Sequence, residues 1–130
     1  MSSTATETAR KLADAPASYF KAVDALDVDA VLTHFAETAT LTVQTAHVTF
    51  SGSEEIRQMF TGFFADWDSM VHSITNLVVD ADAGKVATEQ RVTLTRDGST
   101  EMHNCNFFEV GDDGKFTRVI IWMDGTNPLN

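Results

Sequence analysis

The second half of the chain is predicted to form four long β-strands in succession. After Trp67, β-branched and aromatic residues dominate four segments, at positions 69–80, 85–95, 100–110 and 116–123. The segments are separated by Ala-Asp-Ala-Gly, Arg-Asp-Gly and Gly-Asp-Asp-Gly, and glycine and aspartate are favoured in tight turns. Because a short turn joins strands that run in opposite directions, the pattern predicts an antiparallel sheet.

Two helices are predicted near the start of the chain. Apolar side chains recur on one helical face from Pro16 onwards over the next three turns. Proline lacks the backbone N–H that a first helical turn leaves unused, so the helix is expected to start at Asp14 or Ala15. A break at Asp27 is followed by a short second helix over 28–35.

Two short strands and a third helix are predicted between these helices and the four long strands. The strands are expected at 39–44 and 47–50, where β-branched residues alternate with other types. Ser53 is expected to cap the third helix, because its side chain can accept a bond from a free N–H of the first turn. The apolar stripe of this helix is predicted to consist of Ile56, Phe60, Phe63 and Trp67.

Helices followed by antiparallel strands are typical of the α+β class. We predict one domain over residues 14–130, preceded by a flexible or helical lead-in over residues 1–13. The three N-terminal helices are expected to cover one face of a strongly curved antiparallel sheet, forming a cone-shaped barrel. Such a barrel leaves an internal cavity suited to a small apolar molecule.

The composition excludes several classes of partner. With 9 Lys and Arg against 19 Asp and Glu, the formal net charge is −10, so neither nucleic acid nor an anionic membrane is expected to bind. No apolar stretch is long enough to span a bilayer and no export signal is apparent, so a cytoplasmic location is expected. Cys105 is the single cysteine and the four histidines lack metal-ligand spacing, so neither a metal nor another cofactor is expected.

Four sequence pieces, in the same order, resemble the nuclear transport factor 2-like superfamily. Residues 19–40 resemble its opening pair of helices, and Gly-Ser-Glu-Glu-Ile-Arg at 52–57 matches the start of its third helix. Residues 72–80 and 107–119 resemble the SnoaL-like polyketide cyclase and ketosteroid isomerase-like branch. The resemblance covers residues 14–125 and implies a cone-shaped α+β barrel with an internal pocket, often a homodimer through the sheet. Isomerases, dehydratases, epoxide hydrolases, cyclases and non-catalytic binding proteins share this fold.

The resemblance assigns family site positions to residues of this chain. The tyrosine of ketosteroid isomerases corresponds to Tyr19, their aspartate base to Val43 and their second acid to Asn106. The pocket histidine of scytalone dehydratases corresponds to His72. The arginine and two aspartates of limonene-epoxide hydrolases correspond to Gln90, Val92 and Ile121, the last of which also occupies the position of the cyclase aspartate.

Strand alternation predicts which side chains face the pocket. The substrate-binding set expected from the strands and the third helix is Gln90, Met102, Asn104, Asn106, Phe108, Ile121, Met123 and Phe60. Three of these side chains are amides at otherwise apolar positions. An unpaired buried amide costs about 1–3 kcal/mol, so the amides must bond either to one another or to a ligand.

His72 and Tyr19 are the candidate catalytic residues. His72 is expected to face inward with Ile74 and Asn76, where an imidazole can serve as a general acid or base. The alternative is a histidine that is only hydrogen-bonded within the sheet. Tyr19 offers a phenol to a developing oxyanion, and its alternative role is core packing.

Other polar residues are assigned no chemistry. His34 and His47 are expected to be exposed to solvent, and Asp24 is expected to be a surface charge of the first helix. Cys105 is expected to face away from the pocket. No carboxylate is expected on the pocket face, unless a strand bulge brings Asp80 or Glu89 there.

The outward face of the sheet is unusually apolar, because it carries Cys105, Phe107, Ile120 and Trp122. A homodimer through this face is therefore expected.

The predicted function is that of a cofactor-independent lyase, isomerase or cyclase acting on a small apolar oxygenated metabolite. His72 would transfer the proton, while Tyr19 and the three amides orient a carbonyl or hydroxyl group. The alternative is a non-catalytic domain for small-molecule binding or dimerisation, which the lack of a pocket carboxylate favours.

Overall fold

Three helices and a six-stranded curved sheet form the fold, which confirms the predicted α+β class. The computed structural model describes the backbone of residues 3–124 and the side chains from residue 6 onwards. The helices are α1 (Ser3–Asp24), α2 (Val28–Leu32) and α3 (Gly52–Ala65). The strands are β1 (Phe35–Val43), β2 (Val48–Ser51), β3 (Ser69–Asp80), β4 (Lys85–Thr95), β5 (Ser99–Val110) and β6 (Phe116–Trp122).

The strands lie in the order β2-β1-β6-β5-β4-β3. The four long strands predicted from the sequence are present as β3 to β6, with ends within one residue of the predicted ones. All neighbours are antiparallel except β1 and β6, which run parallel and bring Val43 opposite Ile121. This parallel pair joins distant parts of the chain, so the alternation of residue types within each strand could not predict it. The second helix is shorter than predicted because strand β1 begins at Phe35.

Helix α1 begins well before the predicted start, because Pro16 lies inside the helix rather than at its first turn. A proline in a helix interior removes one backbone hydrogen bond. Here the Pro16 side chain is fully buried, and Leu12, one turn earlier, is buried as well. The apolar face therefore extends N-terminal to the proline, and burial offsets the missing bond.

The two shorter helices differ in how they start. The carboxylate of Asp27 accepts a bond from the Ala30 N–H at 3.1 Å, which caps α2 at the predicted break. The predicted cap of α3, Ser53, is wrong: the N-cap is Ser51, whose N–H donates to Glu55 Oε1 at 2.9 Å. The hydroxyl of Ser53 instead donates to the backbone carbonyl of Glu37.

The buried face of α3 also differs from the predicted stripe. Its buried residues are Ile56, Phe60 and Phe64, whereas Phe63 is only half-buried. Trp67 lies beyond the end of the helix, where the Arg96 guanidinium sits 4.9 Å from its ring centre. The helix ends at Ala65, two residues before Trp67, so Trp67 does not share its face.

A bulge in β3 changes which side chains face the helices. The pairing of β3 with β4 shifts between Ile74 and Asn76, so Thr75 is the extra residue. The prediction that Asn76 faces inward is wrong, since Asn76 is exposed and Leu77 packs against the core instead. Ile74 and His72, on the other side of the bulge, keep their predicted inward orientation.

Elsewhere the predicted alternation is confirmed. One face of β4, β5 and β6 is buried against the helices, and the opposite face leaves Phe107 and Trp122 about half exposed. Tyr19 of α1 meets four phenylalanine rings edge-on at this buried face, namely Phe35, Phe60, Phe108 and Phe116. Within the described residues, no helix is long and apolar enough to cross a membrane.

Two glycines in turns between strands, Gly84 between β3 and β4 and Gly114 between β5 and β6, provide a test of local packing. Gly84 has φ +66°, and a Cβ on it would lie 3.0 Å from the backbone oxygen of Val110. Gly114 has φ +83° but no atom within 4 Å of such a Cβ. We expect Gly114→Ala to cost about 1–2 kcal/mol of unfolding free energy from backbone strain. Gly84→Ala should cost about 1 kcal/mol more, because of the added clash.

Urea denaturation of the two variants and the parent chain measures this difference. Equal losses for both variants would show that the approach to Val110 relaxes without cost.

Candidate functional site

A cavity of about 40 Å³ lies between α1, α3 and the inner face of the sheet. A volume of this size holds roughly three water molecules. All of the predicted site residues except one line the cavity, namely Tyr19, Phe60, His72, Gln90, Met102, Asn104, Asn106, Ile121 and Met123. Phe108 does not line it; its ring is buried and packs 4.8 Å from Phe116. Phe108 therefore packs within the aromatic cluster around Tyr19 instead of facing the cavity.

His72 is held by a carboxylate that sequence reasoning missed. The Asp24 Oδ1 lies 2.6 Å from His72 Nδ1, and the Asp24 Oδ2 accepts the His72 backbone N–H at 3.0 Å. The imidazole also stacks on Phe20, with ring centres 4.7 Å apart and planes at 11°. Three contacts therefore set the position and the plane of the ring.

The contact with Asp24 determines which ring nitrogen is available for chemistry. A carboxylate oxygen only accepts hydrogen bonds, so Nδ1 carries the proton and donates to Asp24. In the neutral ring, Nε2 is then the basic nitrogen, and it has no hydrogen-bond partner among the described residues. A base oriented by a carboxylate and with a free second nitrogen is the arrangement of a proton-transfer site.

The prediction that Asp24 is only a surface charge is wrong. Asp24 is the last residue of α1 and lies one turn after Phe20, so it shares the helix face that packs on β3. Its side chain is about one-quarter exposed, and that of His72 is about one-tenth exposed. The spacing of Asp24 from Phe20 was the one signal in the sequence that pointed to this pair.

The buried amides form a directed chain. The Thr88 hydroxyl donates to Gln90 Oε1 at 2.7 Å, and Gln90 Nε2 donates to Asn106 Oδ1 at 2.9 Å. Asn104 Oδ1 accepts the backbone N–H of Asp124 at 3.3 Å. Each amide oxygen therefore has a donor, but bonding among the amides, the first of the two sequence alternatives, is found only between Gln90 and Asn106.

The polar groups of the cavity wall that these bonds leave without a partner can donate hydrogen bonds. The Nδ2 groups of Asn104 and Asn106 have no hydrogen-bond partner within the described part of the chain, and both residues line the cavity. In the same region, the hydroxyl of Tyr19 has none either. Burial raises the pKa of the Tyr19 phenol well above its usual range, so the group stays protonated and can donate. The cavity therefore offers donors to an acceptor oxygen of a ligand.

The remaining candidates lie away from this chemistry. His34 is half-buried rather than exposed: its Nε2 lies 3.0 Å from the Ser18 hydroxyl and its Nδ1 donates to the Ala30 carbonyl. His34 thus connects α1 to α2, which is a structural role that the local sequence did not indicate. His47 is exposed, as predicted, and adopts a left-handed backbone conformation.

The other acidic residues and the cysteine do not join the cavity. Asp80 and Glu89 are exposed, because the bulge at Thr75 turns neither of them inward. Cys105 lies on the outer face, as predicted. Burial, and secondarily the Glu89 carboxylate, raise the pKa of the Cys105 thiol, which keeps it in the poorly nucleophilic thiol form. Among the described residues, no cluster of three metal-binding side chains is present.

The chain belongs to the SnoaL-like domain family, part of the nuclear transport factor 2-like superfamily. The family match covers residues 17–119, which include α1 from Ala17 onwards and most of the sheet. A sequence comparison with curated proteins finds no match.

Solved structures share the fold at low sequence identity. A protein of Novosphingobium aromaticivorans, provisionally described as an aromatic ring hydroxylase, is 28% identical with a TM-score of 0.76 over 92% of this chain and 96% of its own. A provisionally described polyketide cyclase of Xanthomonas campestris is 19% identical, with a TM-score of 0.77 over 90% and 93%. An LEH-like epoxide hydrolase of M. tuberculosis is 17% identical, with a TM-score of 0.75 over 89% and 84%.

The amide chain predicts an asymmetric response to substitution. Asn106→Leu removes the acceptor of Gln90 Nε2 and leaves a buried donor without a partner, so the unfolding free energy should fall by about 1–3 kcal/mol. In the double variant Gln90→Leu with Asn106→Leu, the unpaired Gln90 amide is gone and only the Thr88 hydroxyl loses its acceptor, so the double variant should lose less than the sum of the two single variants. Urea denaturation of the two single variants and the double variant measures the coupling.

Additive losses in the double-mutant cycle would show that the bond between the two amides contributes nothing to stability.

Proposed function

We propose that this protein is a cofactor-independent proton-transfer enzyme, of the cyclase, isomerase or lyase kind, acting on a small apolar molecule that carries a carbonyl group. The observation that carries the proposal is the pair of Asp24 and His72 at the wall of a cavity otherwise lined by apolar groups and hydrogen-bond donors.

The geometry supports a division of roles. His72 Nε2 accepts a proton from the carbon next to the carbonyl, and the electrons of the broken C–H bond form an enolate. Asp24 stabilises the resulting imidazolium, as a carboxylate does in other histidine-based sites. Tyr19 and the Nδ2 of Asn106 donate to the negative oxygen, which stabilises the charge that develops in the transition state.

The enolate can continue in three ways. His72 can return the proton to a different carbon, which completes an isomerisation. The carbanionic carbon can attack an electrophilic carbon of the same molecule, which closes a ring. A leaving group on the next carbon can instead depart with the electron pair, which completes an elimination. Membership of the SnoaL-like family and the polyketide cyclase among its structural neighbours support the ring-forming outcome.

The proposed base lies at a different position from the aspartates that the resemblance assigns to ketosteroid isomerases and to the cyclases. Val43 and Ile121 line the cavity at the positions where the resemblance places acids, and neither can take up a proton. The base therefore comes from β3 and its carboxylate from α1. The alternative of a non-catalytic binding domain drew its support from the lack of a pocket carboxylate. Asp24, a carboxylate in direct contact with the histidine, supports the catalytic function instead.

Deuterium exchange tests the proton transfer without knowledge of the natural substrate. In D₂O, the protein should accelerate exchange at the α-carbon of 2-butanone or cyclohexanone, followed by ¹H NMR. His72→Gln keeps hydrogen bonding but cannot carry the proton, so the rate should fall by roughly 10²–10⁴-fold. Asp24→Asn should also lower the rate, because an amide can hold the ring in the wrong tautomer.

His103→Gln is the matched control, since His103 is exposed on the outer face of β5 and should leave the exchange rate unchanged. A His72→Gln variant that binds the ketone and exchanges its protons at the parent rate would falsify the assigned role.

We also propose a homodimer through the outer face of the sheet. Phe107 is 48% exposed and Trp122 is 50% exposed on this face. The strand register places Phe107 opposite Ile120 and Cys105 opposite Trp122, so the four residues form one patch. A second copy of the chain presents the same patch and can cover it by two-fold symmetry.

Sedimentation at micromolar concentration tests the dimer. The parent chain should sediment at about twice the mass of one chain, and Trp122→Lys should shift it to the mass of a single chain. Val71→Lys is the control: Val71 is 54% exposed on the same face but lies in the row of Thr93 and Glu101, away from the patch. A parent chain that remains at 14.2 kDa would rule out the dimer.

A further inference from the structure

The wall between the cavity and a neighbouring surface groove consists of two side chains. The groove lies between β2 and α3 and has a volume of about 650 Å³. Met59 and Phe63 of α3 line both the groove and the internal cavity. The cavity alone is far smaller than the roughly 300–1,000 Å³ of ordinary ligand pockets, and the groove, which is open to solvent, offers further space beside it.

This wall is the one that rotation of side chains can open. Met59 and Phe63 are half-buried, and methionine has three rotatable bonds that let it adapt to a changing shape. On the opposite side, Phe20 and His72 separate the cavity from a second depression of about 400 Å³. That side is fixed by the ring stack and by the bonds of His72 to Asp24.

The floor of the groove contains a glycine that the backbone does not require. Gly62 lies within α3, its φ is not in the left-handed region, and a Cβ placed on it would meet no atom within 4 Å. Glycine in a helix interior is less stable than alanine because of its backbone entropy. Neither conformation nor packing explains Gly62, and the open space beside it is large enough that only a bulky side chain would fill the groove.

We propose that the groove binds the hydrocarbon tail of the substrate while its carbonyl head lies in the cavity. This inference rests on the proposed function. The groove is lined by apolar or small residues, including Val48 and Phe50 of β2, and by the polar side chains of Gln58 and Asp66. The carboxylate of Asp66 lies at its edge and disfavours an anionic tail. The substrate class is therefore a ketone or aldehyde with an uncharged hydrocarbon chain long enough to pass between Met59 and Phe63.

A series of methyl ketones, from 2-butanone to 2-decanone, tests the inference by calorimetric titration of the full chain. Affinity should rise about fourfold for each methylene group that enters the groove. Gly62→Phe fills the groove without reaching the cavity, so it should abolish the rise with chain length and leave 2-butanone binding unchanged. Gly62→Ala is the matched control and should retain the parent series. Melting temperatures of both variants should equal or exceed that of the parent chain.

The outcomes separate this inference from the proposed function. If 2-butanone binds but affinity does not rise with chain length, or rises equally in Gly62→Phe, the tail does not occupy the groove and the inference is wrong. If no ketone of any length binds, both the inference and the proposed function fail. If Gly62→Phe weakens the binding of short and long ketones equally, the inference is also wrong. Such a result would show that the groove maintains the shape of the cavity rather than binding the tail.

Discussion

The carboxylate of Asp24 holds together the two elements on which the site depends. One oxygen accepts the backbone N–H of His72 and the other accepts its Nδ1–H, so a single side chain ties the end of α1 to β3. Charge-assisted bonds of this kind are short and directional. Without the carboxylate, the imidazole could turn about its side-chain torsions and present either nitrogen to the cavity. The position of the helix and the chemical identity of the base are thus determined by the same contact.

The inner face of the sheet places hydrogen-bond donors in the same cavity as this proton-accepting histidine. Gln90 and Asn106 use their oxygens on protein donors, and the amide N–H groups that remain can only donate. Tyr19 donates as well, because burial keeps its phenol protonated. A ligand that satisfies this wall must bring acceptor oxygens and an acidic proton. The polarity of the cavity therefore restricts its ligands to molecules that carry both groups.

Local pattern predicted most of this arrangement, and contacts between distant elements account for what it missed. Alternation along β5 placed Asn104 and Asn106 inside, because side-chain direction in a strand has a period of two residues. The same rule failed for Asn76, since a bulge adds a residue that no local signal marks. Asp24 was missed because the role of a helix-terminal carboxylate depends on what packs beside it. The start of α1 was misplaced because Pro16 is tolerated inside a helix when it is buried.

The parallel pairing of β1 with β6 has a consequence for how the protein is made. Val43 and Ile121 sit opposite each other in this pair, and both line the cavity. During synthesis β1 emerges long before β6, so the wall cannot close until β6 has been released. Until then β1 and β5 each present an unpaired strand edge, a surface prone to association with other chains. Ligand binding would therefore distinguish molecules that contain β6 from those terminated before it.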